Sequence, residues 1–583
     1  MTLIQKIRDR MALAADQLGF PVAEVAASVR PCGDPAHGHY QANAAMALGK
    51  KLGKPPRDVA TQLAASVPQD GFLQAPEVAG PGFLNLRLTD DAIAFHLEKM
   101  AKSPDLGLEQ PEKKRRLVID FSSPNVAKPM HVGHLRSTIL GDALARLFRT
   151  LGHEVVTLNH LGDWGAQFGI LLYGYKNLLD QAAFKTDPVK ELARLYVEVR
   201  KHFAVDEEEE GEAGDPVRDA CRRETAKLHQ GDVENLRLWR EFMPFCLEDI
   251  NRAYRRLGVT FDHIRGESFY QPFLAEVAAE LEQAKIAEPS QGALVVLFGE
   301  NEAPALIRKR DGAFTYATTD LAAVRHRTDN FQPTDIVYVV DSRQAQHFKQ
   351  VFEIARRWGI QGPCLHHVAF GSVLGSDGKP IKTRDGKAST TLEGLLDEAV
   401  RLAGTMHAPP EGGEGETPIT PEEAAQVAEA VGIGAVKYAD LSQNRTTDYK
   451  FNWDKMLAMD GNTATYMQYA YARCRSILRK AGHPDGVPEA KIILGAPEEK
   501  FLGVVLLRYA EALESAAEDF RPNVLTAYLW DLAKAYSVFF QNCPVLRAPD
   551  EVTQHSRLAM CALTARVLKS VLEILGIRVL ERM

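Results

Sequence analysis

The sequence has few of the features that mark several large protein classes. Its seven cysteines are scattered, with no Cys-x-x-Cys pair, which argues against a thiolate zinc site and a disulfide framework and favours a reducing compartment. No apolar run approaches the roughly 18 residues that a membrane-spanning helix needs. Residues 1–20 alternate apolar and charged side chains, unlike a secretory signal. We therefore expect a cytoplasmic protein with no membrane contact.

An excess of basic charge is also absent. The 69 Lys and Arg residues are outnumbered by 77 Asp and Glu residues, which gives a formal net charge of −8. Bulk charge therefore cannot drive nucleic-acid binding, and any such contact needs a local basic patch. The 45% apolar and 25% charged content is close to the average for folded proteins, and a length of 583 residues predicts several domains.

Hydrophobic periodicity divides the chain into segments of different character. Residues 1–108 combine amphipathic helical stretches with a strand-like segment, Val78–Leu88, and are predicted to form an α+β domain. The stretch Leu117–Leu158 has the pattern strand, helix, strand, which predicts a parallel sheet. Residues from about 173 to 266 are helical in composition. Strand patterns then return at Ala293–Phe298, Ile336–Val340 and His367–Phe370.

These patterns predict one α/β domain over residues 113–400, interrupted by the helical insertion. A loop rich in Pro, Gly and Glu, Ala408–Pro421, indicates a linker or contact region, which we assign to residues 401–450. Residues 451–583 have helical periodicity and almost no strand signal. The C-terminal part is therefore predicted to be an all-α domain.

The sharpest local feature, Ser122–His134, lies between the first strand and the first helix of the α/β domain. At this junction the carboxyl edge of a parallel sheet meets a helix N-terminus, whose free N–H groups and dipole favour phosphate. His131 and His134 share one face of the first helical turn, and Gly133 leaves room for a flat base. Imidazole donors here could stabilise charge that develops on a phosphorus atom. A metal site is disfavoured because no third ligand has suitable spacing, and a purely structural His-x-Gly-His stays open.

With its surroundings, this segment resembles the HIGH signature of class I aminoacyl-tRNA synthetases, and in particular the arginyl-tRNA synthetase family. The resemblance runs nearly end to end in the same order. The runs that carry it are Asp120–Asn125, His134–Thr138, Gly162–Gly169, Tyr316–Ala322, Tyr466–Arg473 and Glu581–Met583. It implies a Rossmann-like class I catalytic core with a helical insertion, an N-terminal α+β domain that recognises the tRNA D-loop, a C-terminal all-α anticodon-binding domain, and a monomer.

The resemblance also implies a two-step reaction. Arginine and ATP, with Mg²⁺ accompanying the nucleotide, give arginyl-adenylate and pyrophosphate, and the arginyl group then passes to the 3′ end of tRNA(Arg); no zinc is expected. Because the arginine carboxylate is already a nucleophile, the enzyme chiefly aligns it with the α-phosphorus and neutralises charge there. Lys128, His131, Gly133 and His134 match this ATP-binding and catalytic role by resemblance.

The chain departs from the class pattern at the second signature, which is usually Lys-Met-Ser-Lys-Ser. The corresponding run, Gly375–Gly386, lacks the consensus. This form is similar to a subset of arginyl enzymes in which a lysine just before the first signature substitutes for the missing one, and Lys128 occupies that position. Among Lys379, Lys382 and Lys387 we favour Lys382 as a catalytic and ATP contact, although all three could be ordinary exposed lysines.

Arginine selection requires a carboxylate in bidentate geometry, because a guanidinium presents a planar fork of donors. Tyr316 and Asp320 are four residues apart on one side of a predicted helical turn and match the family's arginine-binding Tyr and Asp. Gln344 matches a third contact. Asp120 and Asn125 match residues that hold the α-amino end of the substrate.

Contacts with tRNA are matched in both outer domains. In the N-terminal domain, Phe83 could stack on a splayed base and Asn85 could hydrogen-bond to it. In the C-terminal domain the matched positions lie on or near a basic stripe formed by Arg473, Arg475, Arg479 and Lys480. These matched positions are Tyr466, Tyr469, Arg473, Phe540 and Met583.

Two other functions stay open at this point. A nucleotidylyltransferase would share a similar His-x-Gly-His site, but it predicts no anticodon-type domain. A catalytically silent RNA-binding paralogue would be expected to have lost a histidine of the signature or the guanidinium carboxylate. His131, His134, Lys128 and Asp320 are all present.

Overall fold

The computed structural model describes residues 2–33, 35–128, 130–202, 215–299, 302–375, 378, 391–406, 419–487 and 489–583. The chain divides into two compact units. The first comprises Met1–Pro111, Pro409–Tyr438 and Lys455–Met583, and the second comprises Glu112–Ala408 and Ala439–Asp454. Lys379, Lys382 and Lys387 lie outside the described residues.

The N-terminal part of the first unit is an antiparallel sheet covered by helices. Its strands are β1 (Val29–Pro31), β2 (Tyr40–Ala42), β3 (Glu77–Ala79) and β4 (Phe83–Leu86), in the order β1-β2-β4-β3. Its helices are α1 (Leu3–Gln17), α2 (Val22–Ala27), α3 (Ala44–Leu52), α4 (Pro56–Ser66) and α5 (Asp90–Lys102), with a 3-10 turn at Pro35–His37. The single strand predicted at Val78–Leu88 is instead the hairpin β3–β4. Gly80 and Gly82, with φ of 51° and 152°, turn the chain between these strands.

The second unit is built on a parallel sheet. Its strands are β5 (Arg116–Asp120), β6 (Glu154–Asn159), β7 (His263–Ile264), β11 (Asp335–Tyr338) and β12 (Cys364–His367), in the order β12-β11-β5-β6-β7. Leu117, Val118 and Ile119 in β5 are fully buried, as expected for a central strand covered on both faces. Three antiparallel strands, β8 (Glu288–Ser290), β9 (Ala293–Val296) and β10 (Ala305–Arg308), form a second sheet, and β13 (Val373–Leu374) pairs with β14 (Tyr449–Lys450).

Helices connect the strands of the second unit. They are α6 (Val132–Thr150), α7 (Ala166–Leu178), α8 (Gln181–Thr186), α9 (Pro188–Arg200), α10 (Pro216–His229), α11 (Val233–Leu257), α12 (Glu267–Tyr270), α13 (Leu274–Gln283), α14 (Tyr316–Phe331), α15 (Ala345–Arg357) and α16 (Leu392–Met406), with 3-10 turns at Gln271–Phe273 and Ser342–Gln344. The strand predicted at His367–Phe370 was displaced by three residues. The actual strand, β12, is an edge strand with half-exposed side chains, whereas Val368 and Phe370 are buried after the strand has ended.

After residue 419 the described chain is helical apart from β14. Its helices are α17 (Pro421–Leu441), α18 (Trp453–Met456), α19 (Ala464–Lys480), α20 (Pro497–Leu507), α21 (Tyr509–Glu518), α22 (Asn523–Asn542) and α23 (Glu551–Ile574). Within the first unit, α19 packs on α23, and α20 packs on α22 and on α5. Across the described ranges, no helix combines the length and apolar character needed to cross a bilayer.

A buried arginine joins separate segments of the second unit. Arg136 on α6 has a side chain only 1% exposed, and its Nε lies 3.1 Å from Oδ2 of Asp440. Its Nη1 donates to the carbonyl oxygens of Gly371 and Thr447, at 2.7 and 3.0 Å, and its guanidinium carbon lies 5.2 Å from the ring centroid of Tyr449. The arginine therefore holds α6 against the two segments that contain β13 and β14.

Arg136→Met is expected to lower the free energy of unfolding by about 3–5 kcal/mol, because it leaves the buried Asp440 carboxylate without its cationic partner. The double variant Arg136→Met/Asp440→Leu is expected to recover most of this loss, since both groups are then apolar. Urea denaturation of the full chain measures both. Lys201→Met, which removes an exposed ion pair with Glu198, is the control and should leave the midpoint unchanged. Equal midpoints for Arg136→Met and Lys201→Met would contradict the assigned role.

Candidate active site

The two signature histidines cap the start of α6. The Nδ1 atom of His131 accepts a hydrogen bond from the N–H of Gly133 at 3.0 Å, and Nδ1 of His134 accepts one from the N–H of His131 at 3.2 Å. The two rings lie 3.9 Å apart, centroid to centroid. Since both Nδ1 atoms accept hydrogen bonds, the single proton of each neutral ring lies on Nε2. The helix start thus carries two Nε2–H donors.

Both imidazoles are held in the neutral form. Burial, together with the charge of Lys128, lowers the pKa of His131. Burial and the neighbouring His131 lower the pKa of His134 to about 3. The sequence had predicted free N–H groups here for phosphate. The structure differs, because the N–H of Gly133 bonds to the His131 ring and the N–H of His134 bonds to the His131 carbonyl oxygen.

A glycine is required at position 133 for a structural reason, in addition to the predicted room for a flat base. A Cβ atom at this position would lie 2.7 Å from Cε1 of His131, because the imidazole folds back over the helix start. Lys128, three residues before His131, is half-buried, and its Nζ lies 5.5 Å from the ring centroid of Tyr196 on α9. Asn125 forms an isolated parallel bridge with Gly162, and its Oδ1 accepts from the N–H of Ala127 at 3.2 Å.

The predicted arginine pocket lies at the start of α14 and the start of α15. Tyr316 is the first residue of α14 and is 65% exposed, and Asp320 follows one turn later. Oδ2 of Asp320 lies 2.5 Å from Nε2 of His347 on α15. Gln344 is exposed at the end of the 3-10 turn that leads into α15. The pocket residues therefore come from α14, which follows β10 of the antiparallel sheet, and from the 3-10 turn and α15, which follow β11 of the parallel sheet.

Two further carboxylates border this pocket, and sequence reasoning missed their role. Burial raises the pKa of Glu267 to about 7, and the charges of Asp163 and Asp320 add to the effect. Burial also raises the pKa of Asp163, although its carboxylate accepts hydrogen bonds from Ser268. Glu267 lies near the end of the predicted helical insertion, where no motif in the sequence distinguishes it from a surface residue. The chain gathers negative charge here, which suits a cationic ligand.

Asp120 has a cationic partner within the protein. Its Oδ2 lies 2.7 Å from Nη2 of Arg327, which is fully buried, and Arg327 also contacts Nδ1 of His160 at 3.3 Å. Oδ1 of Asp120 accepts from the Ser123 hydroxyl at 3.3 Å. The expected contact of Asp120 with the substrate α-amino group stays a prediction, and it would have to share the carboxylate with Arg327.

The helical insertion fixes the loop that follows β6. The ring of Trp164 stacks on His229 of α10, with centroids 5.7 Å apart, and meets Trp239 of α11 edge-on at 5.2 Å. Nε1 of Trp239 donates to the carbonyl oxygen of Asp163 at 2.8 Å. Nε1 of Trp164 is buried and has no hydrogen-bond partner among the described residues.

One group of possible metal ligands lies elsewhere in the sheet. Oxygen, sulfur and nitrogen atoms of Asp335, Cys364 and His366 lie within 4.8 Å of one another at the starts of β11 and β12. The Asp335 carboxylate already accepts from Arg115 at 2.6 and 3.0 Å, from Thr334 at 2.7 Å, and contacts His366 at 2.9 Å. These contacts satisfy the carboxylate without an ion, at the opposite edge of the sheet from Asp120.

Comparison with known proteins identifies the family. The family described as tRNA synthetases class I (R), catalytic domain, matches residues 97–453. The DALR anticodon binding domain matches residues 467–583, and the arginyl tRNA synthetase N terminal domain matches residues 1–88. The chain is 43% identical to the arginine–tRNA ligase of Rhodopirellula baltica over the full length of both.

The chain belongs to the arginyl-tRNA synthetase family. Its fold is similar to those of the arginyl-tRNA synthetases of Plasmodium falciparum and Thermus thermophilus, with TM-scores of 0.82 and 0.81, identities of 27% and 26%, and complete coverage of both chains in each case. The activity of the family is the ATP-dependent attachment of arginine to tRNA(Arg), and arginine, ATP and tRNA(Arg) are the substrates of this chain. The full-length match excludes a small-molecule nucleotidylyltransferase.

The helical part of this synthetase contains a cleft of about 530 Å³. Four of the five C-terminal residues predicted to contact tRNA line it: Tyr469, Arg473, Phe540 and Met583. The guanidinium carbon of Arg473 lies 4.6 Å from the Tyr469 ring centroid and 5.1 Å from that of Phe540, and its Nη2 donates to the Tyr469 hydroxyl at 2.9 Å. The structure thus brings together one cation and two aromatic rings at a concave surface.

The remaining predicted tRNA contacts lie outside this cleft. The Tyr466 ring packs edge-on against Trp530 at 5.5 Å. Phe83 is half-buried at the start of β4. Asn85 is only 3% exposed, and its Oδ1 accepts from Nε2 of Gln41 at 2.8 Å. Within the predicted basic stripe, Arg475 and Arg479 pair with Glu581, at 2.8 and 3.4 Å.

Proposed function

We propose that arginine activation takes place at the carboxyl edge of the parallel sheet, between the Nε2–H donors of His131 and His134 and the acidic pocket of Asp320 and Glu267. The observation that carries this proposal is that the acidic pocket and the imidazole pair border the same edge of one sheet. Asp120 ends β5, the loop after it leads to His131, and the Asp120 partner Arg327 lies on the same helix as Asp320.

In the first step, an oxygen of the arginine carboxylate forms a bond to the α-phosphorus of ATP, and the bond from that phosphorus to the pyrophosphate oxygen breaks. The two Nε2–H groups donate to the oxygens on which negative charge develops, and neutral rings do this without exchanging a proton. Lys128 supplies the positive charge that the degenerate second signature lacks, with Lys382 as a further phosphate contact. In the second step, a hydroxyl oxygen of the 3′-terminal adenosine of tRNA forms a bond to the arginyl carbonyl carbon, and the bond from that carbon to the phosphate oxygen of AMP breaks. AMP leaves, and the hydroxyl proton is lost to solvent.

Arginine is selected by charge and by shape. Asp320 accepts the guanidinium fork, Glu267 adds a second carboxylate, and Tyr316 and Gln344 complete the contacts, while Asn125 and Asp120 hold the α-amino end. A lysine substrate would leave acceptor sites unpaired, because its ammonium group cannot match a planar pair of oxygens. Since Glu267 must lose its proton to pair with a cation, arginine affinity should rise as the pH rises through about 7.

Mg²⁺ would enter with the nucleotide. The groups beside the α6 start, His131, His134 and Lys128, are nitrogen donors, whereas Mg²⁺ prefers oxygen ligands and usually keeps several waters. We therefore propose that the triphosphate and water hold the ion and that these side chains contact the phosphates directly. The absence of zinc from the reaction, the monomeric state and the cytoplasmic location stay predictions.

We further propose a division of tRNA contacts among the parts of the chain. Residues 1–108, with Phe83 and Asn85, contact the D-loop, and residues 113–400 carry the chemistry. Residues 401–450 serve as linker and stem contact. Residues 451–583 contact the anticodon through the cleft lined by Tyr469, Arg473, Phe540 and Met583, with Tyr466 nearby. Stacked aromatic rings and an arginine are the groups that single-stranded bases favour.

Asp320→Asn is expected to raise the arginine KM by about 100-fold or more, because a charge-assisted pair with the guanidinium becomes a neutral one. ATP–pyrophosphate exchange, measured across the amino acids with and without tRNA, tests the proposed function and this residue together. Asp329→Asn, an exposed change on the same helix, is the control. A near-normal arginine KM in Asp320→Asn would refute the pocket.

Lys128→Ala is expected to slow ATP–pyrophosphate exchange by about 10²–10³, the scale observed when one donor to a transition state is removed. The arginine KM should change little, since the lysine contacts phosphate. Lys190→Ala, at an exposed position of α9, serves for comparison. An unchanged exchange rate would show that another lysine contacts the phosphates of ATP.

Tyr469→Ala is expected to weaken tRNA binding by about 5- to 100-fold, since one stacked base contributes about 1–3 kcal/mol. Filter binding of tRNA(Arg) at fixed salt measures the effect. Phe501→Ala removes an exposed aromatic ring of the same helical part that does not line the cleft. If both variants bind tRNA equally, the cleft does not contact a base.

A further inference from the structure

The carboxylate proposed for arginine selection is hydrogen-bonded to a histidine of the same chain. Oδ2 of Asp320 and Nε2 of His347 are 2.5 Å apart, a short separation typical of a charge-assisted hydrogen bond. Among the described residues, His347 is the one side chain that hydrogen-bonds to Asp320. The Asp320 side chain is 20% exposed and that of His347 is 29% exposed, so the pair reaches the surface of the pocket.

The geometry of this pair leaves room for a substrate. A carboxylate has two oxygens and about four acceptor positions, and a guanidinium in bidentate geometry uses one position on each oxygen. His347 occupies one position on Oδ2. Three positions therefore remain, which is enough for the fork while the histidine keeps its hydrogen bond. A donor on the far side of the carboxylate also restricts rotation of the Asp320 side chain.

Charge makes the pair sensitive to the arrival of a cation. Burial works to raise the pKa of Asp320, but the hydrogen bond and charge of His347 more than offset it and lower that pKa. Burial opposes protonation of His347, yet Asp320 raises its pKa above the ordinary value. A guanidinium bound to the same carboxylate would repel a protonated imidazole and favour the neutral ring, which can still donate through Nε2–H.

The surroundings define which other groups titrate nearby. On α14, Asp320 faces His347 directly, and Arg327 lies further along the same helix. Behind Asp320, His160 and Glu267 contribute charge at the end of β6 and on α12. On the strand side, His367 stacks on Phe348, with centroids 5.2 Å apart, and its Nε2 lies 3.2 Å from the Val340 carbonyl oxygen. Of these groups, Glu267 is the one whose protonation at low pH, like that of His347, is expected to lower the affinity for arginine.

We propose that His347 is a positioning residue for arginine selection, which orients the Asp320 carboxylate toward the guanidinium and releases its own proton when arginine binds. This inference rests on the proposed function of Asp320. In the enzyme without arginine, the protonated His347 supplies the positive charge beside the Asp320 carboxylate. When arginine binds, His347 loses this charge and keeps its hydrogen bond to Asp320.

The test is ATP–pyrophosphate exchange by the full-length enzyme with tRNA(Arg), as a function of arginine concentration between about pH 6 and pH 8.5. His347→Ala is expected to raise the arginine KM by about 10- to 100-fold, the range for one hydrogen bond to a charged group, and to leave the ATP KM and kcat within about threefold. His347→Gln keeps a donor but cannot titrate. At about pH 8 we expect this variant to have an arginine KM close to that of the unchanged enzyme. On acidification its arginine KM should rise less steeply, because only the protonation of Glu267 then contributes to the rise.

Gln346→Ala, at the exposed neighbouring position on α15, is the control and should match the unchanged enzyme at every pH. An unchanged arginine KM in His347→Ala, or equal arginine KM values in the Ala and Gln variants at about pH 8, would overturn the positioning role. An unaltered pH profile in His347→Gln would overturn the proton release. If Asp320→Asn and His347→Ala both leave the arginine KM unchanged, the assignment of the arginine pocket is wrong. If Asp320→Asn raises the arginine KM and His347→Ala does not, only the role of His347 is wrong.

Discussion

The buried guanidinium of Arg136 is the contact on which the geometry of the active site depends. It lies two residues after His134 on α6, so the same helix turn that presents the imidazoles is also held by Asp440 and by the carbonyl oxygens of Gly371 and Thr447. Gly371 lies two residues before β13, and the degenerate second signature follows that strand in the sequence. One side chain thus links the first signature to the segment that contains β13, which pairs with β14.

The carboxylates of the acidic pocket are balanced by other groups of the same chain and by burial. Arg327 neutralises Asp120, His347 pairs with Asp320, and Glu267 has a pKa near 7 that lets it keep a proton. Each arrangement reduces repulsion among carboxylates at one edge of the sheet. On the proposed assignment, a guanidinium ligand takes over this balancing role, so the groups that limit repulsion within the pocket also favour arginine.

The sequence predicted the elements that local pattern determines and missed those that depend on distant partners. The strand, helix and strand over Leu117–Leu158 and the first-signature turn were predictable because short apolar runs, a Ser/Pro/Asn loop and helical apolar spacing that ends at Gly152 leave a local signal. The strand predicted at His367–Phe370 was placed three residues too late, because the residues of the edge strand β12 lack an apolar pattern. No pattern in the sequence pointed to Glu267 or His347, because their neighbours in the fold are distant in the chain. Glu267 lies near the charges of Asp163 and Asp320, and His347 hydrogen-bonds to Asp320.

The burial of the two signature imidazoles has a consequence for how the enzyme responds to acidity. His134, with a pKa of about 3, keeps one protonation state over the whole interval in which Glu267 and His347 exchange protons. On the proposed assignments, mild acidification acts on recognition of the amino acid and not on the imidazole of His134. An acidified cell would then slow such an enzyme through capture of arginine, whereas its handling of ATP would persist.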